Sequence, residues 1–175
     1  ALGIGQRVST TANLVMVRRP YWSKRTNNIT HSTDAKPVFV LASDIKACTT
    51  KPTECTISGN AWFNSARRNE AGRIEARLTL DSAPAGVLRM QKVEKGKSYI
   101  DAPEILGDLV AGIEGDSMQA ILPGVMVQLE GTIWPVCTPH RNDAEEIAWN
   151  VIPDPIITAR KLAEVREEKK EKASA

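Results

Sequence analysis

Two stretches of the chain alternate apolar and polar side chains with a period of two. In the first, Ile74, Ala76, Leu78 and Leu80 alternate with Arg73, Glu75, Arg77 and Thr79. In the second, Val125, Val127, Leu129, Gly131 and Ile133 alternate with Met126, Gln128, Glu130, Thr132 and Trp134. A strand with one buried and one solvated face reads this way, because successive side chains point to opposite faces of a sheet. Turn residues bracket both stretches: Asn69-Glu70-Ala71-Gly72 and Pro84-Ala85-Gly86 around the first, Pro123-Gly124 before the second. Shorter β-rich runs predict strands at 12–18, ended by Arg19-Pro20, at 38–42, at 55–63 with a bulge or close approach at Gly59, and at 87–93. A closing strand is expected at 146–152, and residues 21–37 read as a long polar loop.

The period changes between the two clear strands. Ile105, Leu106, Leu109, Val110 and Ile113 follow the spacing of one helical face, and Asp101 with Glu104 resembles a capping box, so a helix is expected across 102–120. Gly107 and Gly112 weaken that helix by roughly 1 kcal/mol each relative to alanine. After Pro153 and Pro155 the propensity is again helical, and residues 160–172 hold six basic and four acidic side chains. The expected organisation is a flexible arm at 1–11, a β-rich domain at 12–153 and a charged helical tail at 154–175. The fold class is mainly β: about seven strands with one internal helix and a C-terminal charged helix. Strands and helices do not alternate, which excludes a doubly wound parallel sheet.

Composition narrows the reading further. The chain has 175 residues, of which Gly and Pro together make 21, as one globular domain with a tail would have. Its apolar runs are about five residues long, too short for a membrane-spanning helix. The net charge of +2 hides a gradient: residues 1–97 carry 16 basic and 7 acidic side chains, whereas 98–140 carry six acids and no Lys or Arg. Charge divided in this way can present a positive face to a polyanion. Cys48, Cys55 and Cys137 make an odd count, which favours a reducing intracellular compartment, the mitochondrial matrix being one that fits. They share no zinc-type spacing with His31 or His140, so neither a metal nor another cofactor is expected. The start at Ala1, without a signal-type apolar core, fits removal of an initiator Met or of a mitochondrial presequence.

The order of elements resembles the OB-fold of single-stranded DNA-binding proteins of bacteria and mitochondria, and of their relatives in RNA-processing complexes. Asn13-Leu14-Val15-Met16-Val17 resembles the opening strand of that family, and Lys36-Pro37-Val38-Phe39-Val40-Leu41-Ala42 its next strand. The predicted helix followed by Leu122-Pro123-Gly124-Val125-Met126-Val127-Gln128-Leu129-Glu130-Gly131-Thr132-Ile133 resembles the family's helix, turn and fourth strand. The resemblance covers about half the chain and implies an OB-like five-stranded barrel. Residues 55–100 supply more strand than the simple family needs, which calls for extra strands or an inserted hairpin.

Such a fold binds single strands by joining a basic groove to aromatic rings on which bases stack. Arg18, Arg19, Tyr21, Trp22, Lys24 and Arg25 place two aromatics among four cations and form the primary candidate contact loop. Trp62, Arg67, Arg68, Arg73 and Arg77 would extend it. The plainer alternatives are that Tyr21 and Trp22 pin a loop to the core, that the arginines pair with acids such as Glu75, and that Trp134 and Trp149 are packing residues. An enzyme is not expected. Within Gly115-Asp116-Ser117-Met118, a Ser followed by Met superficially resembles the nucleophile of signal-peptidase-like proteases, but those need a lysine base on a later strand and no lysine lies between Lys97 and Lys161. The expected function is a single-stranded DNA- or RNA-binding module within an oligomer or larger complex, meeting protein partners through 1–11 and 156–175. The competing reading is a structural β-rich subunit of a capsid, a ribosome-like particle or a mitochondrial complex, including a jelly roll.

Overall fold

The computed structural model describes residues 2–3, 6–50, 55–83, 86–95, 98–115, 118–137, 139–149 and 154–165. Among them every helix or strand is a strand: β1 (Val8–Ser9), β2 (Ala12–Arg18), β3 (Pro20–Ser23), β4 (Asn28–His31), β5 (Lys36–Leu41), β6 (Lys46–Ala47), β7 (Thr56–Arg68) and β8 (Ile74–Leu80), then β9 (Met90–Lys95), β10 (Ser98–Pro103), β11 (Ile105–Leu106), β12 (Asp108–Ile113), β13 (Met126–Val136), β14 (Pro139–Arg141), β15 (Ile147–Trp149) and β16 (Asp154–Glu164).

Five of these close into a barrel in the order β12-β16-β13-β7-β8. Neighbours run antiparallel except β12 and β16, which pair in parallel through Ala111–Ile157, Gly112–Thr158 and Ile113–Ala159. The period of two seen in the sequence sets the interior. Ala76 and Leu78 of β8, Leu109 and Ala111 of β12, and Val127 and Leu129 of β13 are all buried in one core cluster, which Ala61, Phe63, Ile157 and Ala159 complete from β7 and β16. Burying one leucine of this kind contributes about 1.5–3 kcal/mol. Closure gives each barrel strand a partner on both sides and leaves only part-strand edges among the described residues, the start of β7 beyond the end of β8 being one.

Where β13 meets β16 the register slips: Glu130 opposes Lys161 and Gly131 opposes Ala159, so Arg160 is the extra residue of a bulge. Gly131 is buried there against backbone. A Cβ at this position would overlap the Thr158 carbonyl oxygen and crowd the Ala159 Cα. The β7–β8 turn is held by Asn69, whose N–H donates to the Arg73 carbonyl (2.8 Å) and whose Oδ1 accepts from the Arg73 N–H (2.9 Å), with Gly72 in the left-handed region at φ 77. This is the turn expected at 69–72.

A three-stranded sheet, β11-β2-β5, lies against the barrel. Met16 belongs to the barrel's core cluster and Leu14 packs against it, while Val15 and Val17, in the opposite phase of β2, are also buried. Two ion pairs join this sheet to barrel strands: Arg18 Nη2 to Asp108 Oδ2 and Lys36 Nζ to Asp154 Oδ1, each at 3.8 Å. β3–β4, β9–β10 and β14–β15 form two-stranded sheets, as do β1 and β6, and β9 packs against β3 and β4 with Val93 buried.

The architecture is therefore mainly β with a closed five-stranded barrel, compatible with an OB-like fold. Both expected helices are overturned. The segment read as helix 102–120 contains β11 and β12, because Leu109 and Ala111 point inward while Val110 points to solvent, and Gly107 sits so close to Ala35 that a side chain would collide there. The C-terminal charged helix is likewise β16 over 154–164, with Ile157 and Ala159 inside the barrel; residues 166–175 lie outside the described residues. Smaller differences follow. Residues 21–37 hold the β3–β4 hairpin instead of a loop, the described residues of 146–152 hold short β15 paired with β14 while 150–152 lie outside the described residues, and 87–93 leads into β9, which pairs with β10. The barrel's first strand is β7, and 13–17 lies in the flanking sheet. Among the described residues no helix is long and apolar enough to cross a membrane.

Candidate nucleic-acid interface

The β3–β4 hairpin carries the aromatic and basic residues of the first candidate loop. Pro20 is buried, Tyr21 is 51% exposed, and Trp22 is half-buried, as alternation on a strand dictates. Lys24 and Arg25 stand exposed in the turn, where Asn27 takes a positive φ of 49 that asparagine tolerates better than most residues. His31 at the hairpin's far end donates Nε2–H to the Pro103 carbonyl (2.9 Å). Arg19 is exposed beside the hairpin and its N–H donates to Ser32 Oγ (3.2 Å).

The second group lies on the outer face of β7, β8 and β12. Trp62 points outward, 42% exposed, and pairs in register with Thr79. Next to it Asn64 Nδ2 donates to Thr79 Oγ1 (2.9 Å) and to Asp108 Oδ1 (3.0 Å), and Thr79 Oγ1 donates to the same carboxylate at 2.6 Å. Arg77 stands exposed between Ser65 of β7 and Val110 of β12, with no ion-pair partner among the described residues. At the β7–β8 turn, Arg67 Nε lies 3.7 Å from Glu75 Oε2, Arg68 Nη1 donates to the Gly72 carbonyl (2.8 Å), and Arg73 is exposed.

Arg18 and Arg77 come together in one pocket of about 280 Å³, so residues 59 apart in the sequence do converge. Asp34, Asp108 and Asp154 line the same pocket, which makes it a mixed ionic site and not a bare cationic groove. Arg18 Nε is buried there without a hydrogen-bond partner. Arg18 thus fastens the flanking sheet to β12, while Arg77 keeps its guanidinium toward solvent. Lys24, Arg25 and Tyr21 sit on their hairpin, and Arg67, Arg68 and Arg73 at the β7–β8 turn; neither set lines this pocket.

Three further exposed aromatics, Phe39, Trp134 and Trp149, lie outside the residues singled out from the sequence. Trp149 on β15 is 61% exposed and Trp134 on β13 is 41% exposed, so neither is a packing residue. Trp134 shares the outward phase of Gln128 and Glu130, a signal already present in the alternation of 125–134. It pairs with exposed Ile156 of β16. Exposed Val110 directly precedes Ala111, which pairs in parallel with Ile157, the neighbour of Ile156. Arg77, Val110, Ile156 and Trp134 therefore form one outward row across four barrel strands. No protein-family model matches the chain, and no curated protein matches it in sequence.

Proposed function

We propose that this chain is a single-stranded nucleic-acid-binding module built on an OB-like barrel and working as a subunit of a larger complex. The observation that carries this reading is the connectivity. Taken in chain order, the five barrel strands are joined 1-2-3-5-4 and back to 1, and the single parallel contact lies between the third and the fifth. OB-folds bind oligonucleotides across the face of their second and third strands, flanked by the loops between strands one and two and between strands four and five. The corresponding parts here are β8 and β12 with Arg77, the 69–73 turn with Arg67, Arg68 and Arg73, and the β14–β15 hairpin with Arg141 and Trp149. Trp62 and Trp134 flank that face, and the β3–β4 hairpin would add Tyr21, Lys24 and Arg25. Rings of this kind are worth about 1–3 kcal/mol per stacked base.

A fluorescence titration with oligothymidylate and oligouridylate at two salt concentrations tests the reading. Neutralising about four phosphates of a single strand lowers affinity roughly 50-fold between about 50 and 200 mM salt. Changing Arg73 and Arg77 to Glu should weaken binding and flatten that slope, and Trp149→Ala should weaken binding without changing the slope. Absence of binding to both oligonucleotides at low salt overturns the proposal. The outward row of Val110, Ile156 and Trp134 favours a second reading, a β-rich structural subunit that docks through this face. A large closed particle in light scattering, together with no oligonucleotide binding, would select it.

A further inference from the structure

Two strand edges run out of partners at the same place. Along β7 the odd-numbered residues bond toward β13: Cys55 accepts from the Ile133 N–H and Phe63 donates to the Val125 carbonyl, both at 2.9 Å. Antiparallel alternation turns the N–H and C=O groups of the even-numbered residues to the other side. There Asn60 accepts from the Asp81 N–H (3.2 Å), but β8 ends at Leu80, and Thr56 and Ser58 find no backbone partner among the described residues. Along β2, Thr11 accepts from Ala42 (2.8 Å) on the β5 side, whereas Met16 accepts from Gly107 (2.7 Å) on the β11 side. Ala12 and Leu14 share the phase of Met16, and β11 covers only Val17 and Arg18, so this edge is open as well.

Ala12, Leu14, Thr56 and Ser58 all line one cleft of about 840 Å³ between the flanking sheet and the barrel. Its apolar walls include Leu80 and Leu129. Gly59 faces open space, with nothing within 4 Å of where a Cβ would stand. Backbone groups unpaired at a strand edge are a template for another strand. A strand advances about 3.3 Å per residue and lies about 4.8 Å from its neighbour, so an extended segment fits alongside the open edge of β7. Asp81 is the one charged side chain lining it among the described residues, so a basic residue suits the end of such a segment.

We propose that this cleft is a strand-accepting slot for an extended peptide of a partner protein, apolar at alternate positions and basic at its end. The peptide occupies the line that β8 vacates after Asp81 and bonds to Thr56 and Ser58, as in other cases of strand addition to an open edge. Ala12 and Leu14 form the opposite wall. This inference is independent of nucleic-acid binding.

Amide hydrogen exchange followed by NMR on the full chain tests it, with a capped peptide alternating valine and threonine between terminal lysines as the probe. In the free protein the Thr56 and Ser58 amides should exchange fast, and millimolar peptide should slow both at least tenfold. Ser58→Pro should abolish the effect, because it removes a donor aimed into the cleft and leaves the odd-numbered ladder to β13 intact. Should that variant not fold, Gly59→Val narrows the same slot at a position with free space and must also abolish it. Slow exchange without peptide would mean that the chain already pairs there and would overturn the proposal. So would unchanged exchange at millimolar peptide, or slowing by oligothymidylate alone.

Discussion

Single residues set the tolerances of this barrel, and Gly131 sets the tightest. Its missing side chain lets β13 approach the bulge on β16, where the contact is with the Thr158 carbonyl and the Ala159 Cα and not with a side chain that could turn away. Gly131→Ala should therefore destabilise the protein by about 3 kcal/mol, the upper part of the range for overpacking, because rigid backbone must move. Gly59→Ala, on the same inward phase of a neighbouring strand but facing open space, should change stability by less than about 1 kcal/mol. Urea unfolding of both variants checks the contrast, and equal losses would refute it. Asp108 offers a second comparison. It accepts hydrogen bonds from Thr79 and Asn64 and faces Arg18 at 3.8 Å. The ion pair is partly exposed and worth on the order of 0–1 kcal/mol, whereas stranding two partly buried donors costs about 1–3 kcal/mol. Asp108→Ala should accordingly lose more stability than Arg18→Met in the same denaturant series; the reverse order would place the weight on the ion pair.

Among the elements, the β14–β15 hairpin carries the most testable local strain. Asn142 Oδ1 accepts from the N–H groups of Ala144 (3.0 Å) and Glu146 (2.9 Å), which forces Glu145 to a φ of 61. A side chain in that region costs about 1–2 kcal/mol, while the exposed Arg141–Glu145 ion pair returns little. Glu145→Gly should therefore raise the hairpin's population, read as increased amide protection at His140 and Ala148, and lower protection would contradict the argument. Strands β8 and β13 were legible in the sequence because one face of each is solvated, so apolar and polar residues alternate. β12 was not: Val110 is apolar on the outward face, and the run Leu109 to Ile113 then matches helical spacing by coincidence. β16 was hidden in another way. Its inward residues include the small Ala159, while Arg160 and Lys161 pair outward with Glu114 and Glu130, so the segment reads as a charged tail. Of the candidate site, Tyr21, Lys24, Arg25, Trp62 and Arg77 stand at the surface as their sequence context suggests. The tie between Arg18 and Asp108 depends on a contact 90 residues away, and no local pattern announces it.

At the scale of the whole molecule, closure of the barrel depends on the last described strand. β16 pairs with β13 over ten residues and with β12 in parallel, so it alone joins the third barrel strand to the fourth. Removing it would expose Leu109, Ala111, Val127 and Leu129 along two strand edges at once. The pairing that closes the barrel spans about 45 residues, a non-local contact of the kind that slows folding. A chain ending at residue 153 should not fold cooperatively, and one ending at Val165, which keeps every ladder partner of β16 and the Val165–Met126 hydrogen bond, should melt in a single transition. Circular dichroism with thermal melting of the two truncations separates a barrel strand from a dispensable tail. If the shorter chain melted cooperatively with its β signal intact, β16 would be an addition to a four-stranded unit. The single parallel contact between third and fifth strands, on which the proposed function rests, would then lose its weight.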